Sequence, residues 1–140
     1  PMHVAIVALP SHGHVNPLLP IAAELARGGD RVRFVAPDGF AAAVRATGAE
    51  PVSLGDLPIP TGTGGDPNGP AALDAARGFF ARVGAAMRVA VADVAASRPD
   101  VLLYDALLPM MGAGDVRGVA APRVGFFPSF AIREGTRLSD

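Results

Sequence analysis

The sequence contains no cysteine, lysine or tryptophan, and none of its hydrophobic runs is long. The absence of cysteine excludes disulfide bonds, thiolate catalysis and cysteine-ligated metal sites. The longest apolar runs fall well short of the ~20 residues that a transmembrane helix needs, so no membrane span is predicted. No basic segment precedes the first apolar run, which argues against a signal peptide and predicts a cytoplasmic protein.

Charge is scarce as well, and it forms no patch. Charged residues make up 18% of the 140 residues, the formal net charge is −1, and the twelve basic residues, all arginine, are scattered. A nucleic-acid partner is therefore not predicted. Hydrophobic residues account for 50% of the chain. A chain of this length buries roughly 70% of its unfolded surface, so we expect one domain over residues 1–140.

Short apolar and amphipathic segments alternate along the chain. Strands are predicted over residues 3–9, 31–36, 50–54, 101–104 and 123–127. Helices are predicted over 18–26, 38–47, 71–97 (continuous, or broken near Gly84) and, interrupted by glycines, 109–119. Strands that alternate with helices through short links are typical of a right-handed, doubly wound parallel sheet. We therefore predict an α/β, Rossmann-like fold with the strand order 3-2-1-4-5.

In this order the fifth strand lies at an open edge of the sheet. An exposed apolar edge pairs readily with other chains. We therefore expect either a cover for this edge, from a homo-oligomer or a partner chain, or a domain that is incomplete.

The turn between the first strand and the first helix, residues 9–19, has the most informative composition. Its sequence is Leu-Pro-Ser-His-Gly-His-Val-Asn-Pro-Leu-Leu, and it holds two of the three histidines of the chain. Asn16 followed by Pro17 is a typical helix start. Open α/β sheets bind ligands at the carboxyl ends of their strands. The residues of this turn that we expect to contact a substrate are Ser11, His12, Gly13 and Asn16.

His14 and Asp105 are the predicted catalytic pair. They lie 91 positions apart, yet each follows the carboxyl end of one of two neighbouring strands, the first and the fourth. A carboxylate that accepts from one imidazole nitrogen leaves the other nitrogen free to take a proton from a substrate hydroxyl. The alternative is structural, with His14 as a packing residue and Asp105 as a helix cap. His12 is interpreted as structural or substrate-lining, and no metal is predicted because the two histidines lack a third ligand.

Other catalytic and nucleotide-binding motifs are missing. The glycine-rich segment 62–69 follows no strand and lacks the Gly-Lys-Ser/Thr ending of a P-loop. The turn after the first strand is not Gly-x-Gly-x-x-Gly, and Gly-x-Ser-x-Gly does not occur, which argues against a dinucleotide site and a serine hydrolase. The loop over residues 55–70 is too long for a simple connection, and such loops are functional or disordered.

Residues 12–32, which begin His-Gly-His-Val-Asn-Pro-Leu-Leu-Pro, closely resemble the N-terminal signature of family 1 glycosyltransferases of the GT-B fold. The nearest resemblance is to bacterial enzymes that glycosylate macrolides, aromatic polyketides and similar natural products, including antibiotics. Residues 98–105 resemble the fourth strand of that family with its aspartate, and residues 121–129 resemble its fifth strand. The resemblance implies that His14 is the general base, that Asp105 is its partner, and that transfer inverts the sugar without a metal or other cofactor.

The resemblance also implies that the chain is the N-terminal, acceptor-binding part of a longer enzyme. Members of the family bind their co-substrate, a UDP- or TDP-sugar, mainly through a C-terminal domain that these 140 residues do not contain. The isolated chain is therefore expected to be inactive. The acceptor would be a hydrophobic aglycone. Further contact residues expected from their positions are Phe79, Met87, Leu107, Met110, Phe127 and Ser129.

Three alternatives to this interpretation remain at the level of the sequence. The chain could be the acceptor subunit of a split glycosyltransferase. It could instead be a non-catalytic Rossmann-like module that binds a ligand or a partner. A third candidate is another GT-B activity, such as a sugar-nucleotide epimerase, which requires the same missing part.

Overall fold

The computed structural model describes residues 1–57, 68–110, 112 and 114–128. Within these ranges the strands are β1 (His3–Val7), β2 (Arg31–Ala36), β3 (Glu50–Ser53), β4 (Val101–Asp105) and β5 (Arg123–Phe126). They form one sheet in the order β3-β2-β1-β4-β5, and each neighbouring pair is parallel. The predicted α/β class and the predicted strand order are confirmed.

Helical segments connect the strands. The α-helices of the described residues are α1 (His12–Val15), α2 (Leu19–Arg27), α3 (Ala41–Ala46), α4 (Pro70–Ala96) and α5 (Leu107–Met110). Three 3₁₀ turns, at Asn16–Leu18, Asp38–Phe40 and Val116–Gly118, complete them. Helix α4 runs without a break through Gly84, which decides between the two forms that the sequence left open. None of the helices in these ranges is long and apolar enough to cross a membrane.

The first helical segment begins at His12, six residues before the helix that the sequence predicts over 18–26. Helix α1 starts at His12, after an extended Ser11, so Asn16 ends this helix and does not cap its start. Pro17 lies in the 3₁₀ turn that joins α1 to α2. A proline has no amide hydrogen to give to a helix, and a short 3₁₀ turn accommodates it between two α-helical segments. The helix start predicted at Asn16 and Pro17 is therefore wrong.

The helix predicted over residues 109–119 is also wrong. Helix α5 ends at Met110, and the only other helical residues described there form the 3₁₀ turn Val116–Gly118. Gly112 has a positive φ of 64°. Glycine is a poor helix former and readily adopts such a conformation, so the chain turns here instead of continuing the helix.

Two apolar layers cover the two faces of the sheet. On one face, Val83, Met87 and Val94 of α4 pack in a cluster with strand residues such as Val7. On the other face, the cluster contains α1, α2 and α3 side chains together with Ile6. Strand β1 is thus buried on both faces, as expected for the centre of a parallel sheet. Strand β5 differs, because Val124 remains 53% exposed at the outer edge.

Arg33 links the sheet to α4. Its guanidinium donates to Asp93 of α4 at 2.7 Å and to Glu50 of β3 at 3.3 Å. The Arg33 side chain is only 12% exposed. The ion pairs of Arg33 therefore fix α4 against the strands, at a distance from the carboxyl edge where the ligand site is predicted.

Replacing Arg98 with glycine is expected to stabilise the fold. Arg98, in the turn between α4 and β4, has a φ of 51°. This conformation costs an L-residue about 1–2 kcal/mol, and the extra freedom of glycine in the unfolded chain offsets about half of that gain. The free energy of unfolding measured in urea should rise by about 0.5–1 kcal/mol. The matched control is Gly48→Ala at a φ of 87°, which should destabilise. A less stable Arg98→Gly variant would contradict the argument.

Candidate active site

The structure brings His14 and Asp105 together at the carboxyl edge of the sheet. Asp105 is the last residue of β4, and His14 lies in α1, the first helical segment after β1. Because β1 and β4 are parallel neighbours, their ends lie side by side. The Nδ1 atom of His14 is 2.5 Å from Oδ2 of Asp105.

Backbone amides from two further segments hold the Asp105 carboxylate. Oδ1 accepts from the amide of Leu107 at 2.9 Å, and Oδ2 accepts from the amide of Leu9 at 3.4 Å. The residue is 0% exposed. A buried carboxylate is costly unless it is paired and hydrogen-bonded, so this set of donors accounts for its place in the core. The side chain cannot rotate away from His14 without leaving these donors unpaired.

The orientation of His14 follows from this contact. Since a carboxylate only accepts hydrogen bonds, Nδ1 must carry the hydrogen that faces Asp105. In the neutral ring, Nε2 then has the free lone pair. The side chain is 22% exposed, so the ring is partly open to a ligand. A ring held in this tautomer can accept a proton at Nε2, and the carboxylate stabilises the imidazolium that results.

His12 points to a different side of α1. Its ring lies 4.8 Å from the ring of Phe40, at an angle of 59°. Residues two positions apart on a helix do not share a face, which explains why the two histidines diverge. His12 lines a cavity of about 220 Å³ together with Pro37, Gly39, Phe40, Asp56 and Leu57. We call this space the His12 cavity.

The other residues predicted in the first turn lie at the start of α1 or on its exposed surface. The carbonyl of Ser11 accepts from the amides of His14 and Val15, at 3.1 and 2.9 Å, which starts α1. The Ser11 hydroxyl makes no capping bond. Gly13 and Asn16 are exposed. Gly13 has open space where a side chain would lie, since nothing falls within 4 Å of an added Cβ.

Among the described residues, the remaining predicted contact residues lie in different surroundings. Met87 is fully buried, and a Cβ atom added to Gly114 would lie only 2.9 Å from Cγ of Met87. It therefore belongs to the core, where the missing side chain of Gly114 lets the loop approach α4. Phe79 is half-buried against Phe80, with 5.6 Å between ring centroids. Leu107 is half-buried next to Asp105.

Met110 and Phe127 are the exposed members of the predicted set, at 72% and 56%. They come shortly after the carboxyl ends of β4 and β5, the edge that carries the His14–Asp105 pair. Ser129 and most of the 55–70 loop lie outside the described residues.

A larger cavity of about 550 Å³ lies away from the His14–Asp105 pair, and its lining includes Tyr104, Asp115, Arg117 and Arg123. Neighbouring residues of a strand point to opposite faces, so Tyr104 and Asp105 lie on opposite sides of the sheet. Hydrogen bonds from Arg117 lower the pKa of Asp115 to about 2. Size alone does not identify the site, and we place the candidate active site at the buried pair.

Sequence reasoning missed Phe40 and Asp56 as residues that line one cavity with His12. They follow β2 and β3, and the signal that could have found them is the strand order, which brings the ends of β1, β2 and β3 to one edge. In the described part of the chain, no three histidine, aspartate or glutamate side chains converge as a metal site would require.

No family model matches this sequence. The chain is 37% identical to the oleandomycin glycosyltransferase of Streptomyces antibioticus over 107 residues, which cover 75% of this chain and 24% of that protein. It is 47% identical to the NDP-glycosyltransferase YjiC of Bacillus licheniformis over 51 residues, 36% of this chain and 13% of that protein. The chain thus spans at most about a quarter of these curated relatives.

Solved structures agree with these sequence relationships. The calicheamicin glycosyltransferase CalG4 matches 99% of this chain with a TM-score of 0.68 and 29% identity, over 35% of its own length. The glycotransferase of kitacinnamycin matches 96% of this chain with a TM-score of 0.61 and 29% identity, over 32% of its length. In sequence and in structure, the homologues of this chain are therefore GT-B glycosyltransferases of family 1, and the chain corresponds to one part of them.

Proposed function

We propose that this chain is the acceptor-binding part of an inverting glycosyltransferase in which His14 is the general base. The observation that carries this proposal is the 2.5 Å contact between His14 Nδ1 and the Asp105 carboxylate. Asp105 is fully buried. A hydrogen-bonded, buried carboxylate behind a partly exposed imidazole is the arrangement that a base toward a hydroxyl requires.

In the proposed reaction, Nε2 of His14 takes the proton of an acceptor hydroxyl. The hydroxyl oxygen attacks the anomeric carbon of the sugar from the face opposite the nucleotide. The bond between that carbon and the diphosphate oxygen breaks, and the nucleoside diphosphate leaves with the electron pair, so the configuration inverts. Asp105 stabilises the imidazolium that forms. General-base catalysis of this kind contributes about 10²–10⁴-fold to the rate.

The proposed acceptor is a hydrophobic aglycone. Support comes from the exposed apolar side chains of Met110 and Phe127 near the carboxyl edge of the sheet. Small-molecule sites are mostly apolar with a few placed polar groups. His14 would supply such a group.

The proposed donor site, for a UDP- or TDP-sugar, lies mainly outside these 140 residues. The coverage of the relatives supports this division, since the chain accounts for 24% of the oleandomycin enzyme and 35% of CalG4. The donor-binding part would be supplied either by the same polypeptide or by a separate subunit.

The chain alone should give no measurable transfer from UDP-glucose or dTDP-glucose to a hydroxylated aromatic acceptor. The reason is that most contacts to the nucleotide are missing. Product formation is followed by liquid chromatography and mass spectrometry, with the oleandomycin glycosyltransferase as the positive control. Turnover by the unaided chain at an enzyme-like rate would disprove the division into two parts.

Fusion of the chain to the remaining part of the oleandomycin glycosyltransferase makes His14 testable. In the active fusion, His14→Ala should lower kcat by about 10²–10⁴-fold, since the base is lost. The acceptor Kd should change much less than kcat, because the base acts mainly in the transition state. Arg27→Ala, on the exposed side of α2, is the control and should match the unmodified fusion. An unchanged kcat for His14→Ala refutes the base role.

Substitutions of Asp105 should separate its chemical role from its structural role. Asp105→Asn keeps the shape and removes the charge that stabilises the imidazolium, so kcat should fall by roughly 10²-fold or more. Asp105→Ala leaves His14 Nδ1 and the amides of Leu9 and Leu107 without their acceptor. The free energy of unfolding should then fall by about 2–5 kcal/mol in urea titrations, and by less for Asp105→Asn. If Asp105→Asn loses stability but keeps kcat, the carboxylate is only a structural cap.

A further inference from the structure

We propose that the His12 cavity recognises an ammonium group carried next to an apolar ring of the acceptor. That this ligand is the acceptor rests on the proposed function. The binding chemistry of the cavity follows from the residues that line it. Its volume of about 220 Å³ suits one ring with a short substituent. The site lies beside α1, the helix that also carries His14.

The walls of the cavity provide an apolar and aromatic surface. Phe40 is a buried residue whose ring lies against the ring of His12, and Pro37 is also buried. Leu57 is half-buried and packs against the apolar cluster on the α4 side of the sheet. Such a surface takes up the body of an apolar ring, and the face of an aromatic residue also attracts a cation.

The charge of the cavity is negative. Asp56 is exposed at the lining and has no ion pair or hydrogen-bond partner among the described residues. No arginine lines the described wall. The nearby carboxylate of Asp38 already accepts the Ser53 hydroxyl, which leaves Asp56 as the carboxylate available to a ligand. An ammonium group satisfies Asp56, whereas a carboxylate or phosphate on the ligand would be repelled.

The position of the cavity gives it a role in selecting the reacting hydroxyl. His12 and His14 lie two residues apart in one helical turn, and their side chains diverge. A molecule anchored by its ammonium group in the His12 cavity therefore has one end fixed on one side of this turn. Only a hydroxyl at the matching distance reaches Nε2 of His14 on the other side. The cavity thus sets which hydroxyl of a polyfunctional acceptor is presented to the base.

Three small probes with the same phenol ring test this proposal by their charge. Tyramine carries an ammonium group, 4-ethylphenol is neutral, and 3-(4-hydroxyphenyl)propanoate is an anion. Dissociation constants are measured by NMR titration of the isotope-labelled 140-residue chain, following the signals of His12, Phe40 and Asp56. Tyramine should bind about fivefold or more tightly than 4-ethylphenol, and the anion should bind most weakly.

Two carboxylate variants supply the decisive comparison. Asp56→Asn should reduce the tyramine preference to about twofold, the part that the aromatic wall supplies, while the affinity for 4-ethylphenol stays unchanged, because only the charge is removed. Asp74→Asn, at an exposed carboxylate on α4, should retain the full preference. The proposal is overturned if Asp56→Asn keeps the preference, if the unmodified chain shows none, or if the shifted signals lie elsewhere.

Failure of the proposed function has a different signature. The His14→Ala chain should keep the tyramine preference, because His14 does not line the cavity. If the fusion enzyme shows that His14 is not the base while the preference persists, the cavity binds amines but the reaction assignment is wrong. If His14 proves to be the base and the preference is absent, the amine subsite alone is refuted.

Discussion

The buried carboxylate of Asp105 is the interaction on which the candidate site depends. It accepts hydrogen bonds from Leu9 in the segment after β1, from the start of α5 and from the histidine of α1. A charge in the core is tolerated only when its hydrogen-bonding capacity is used, so the three segments must converge at one point. The same requirement that makes Asp105 structurally demanding also fixes the imidazole in one tautomer. Stability and the orientation of the base are therefore properties of a single set of contacts.

The parallel sheet makes this convergence possible. Because β1 and β4 run in the same direction side by side, the segments that follow them emerge next to each other. Strand β2, on the other side of β1, brings Phe40 to the opposite flank of α1. The two histidines of one turn consequently face two different neighbours. One meets a carboxylate and the other meets an aromatic ring, although they differ by only two positions in the chain.

Much of this arrangement could be predicted from the sequence, for a physical reason. The strands, the helices and their burial follow from apolar periodicity, and the strand order follows from their alternation. The His14–Asp105 contact follows from strand order, since the two residues lie at or beyond the carboxyl ends of neighbouring strands. The failures are local. Asn16 and Pro17 have the composition of a helix start, yet tertiary packing extends the helix back to His12. Met87 belongs to the core with Val83 and Val94 of the same helix, and the close approach of Gly114 to it is a contact that helix periodicity does not reveal. The cavity beside His12 is lined by three separate segments, α1, residues 37–40 and residues 56–57, so no single segment encodes its shape.

The length of α4 has a consequence for how such a protein could vary. Its 27 residues span about 40 Å, whereas a five-residue strand spans about 17 Å. The burial pattern agrees, since no residue from Pro70 to Arg82 is buried and the buried positions begin at Val83. The helix runs back toward the amino edge, so its first half overhangs the carboxyl edge, where the candidate site lies. Substitutions at the exposed positions of this overhang would reshape the surroundings of the site at little cost to the core, which makes the overhang suited to change ligand preference during evolution.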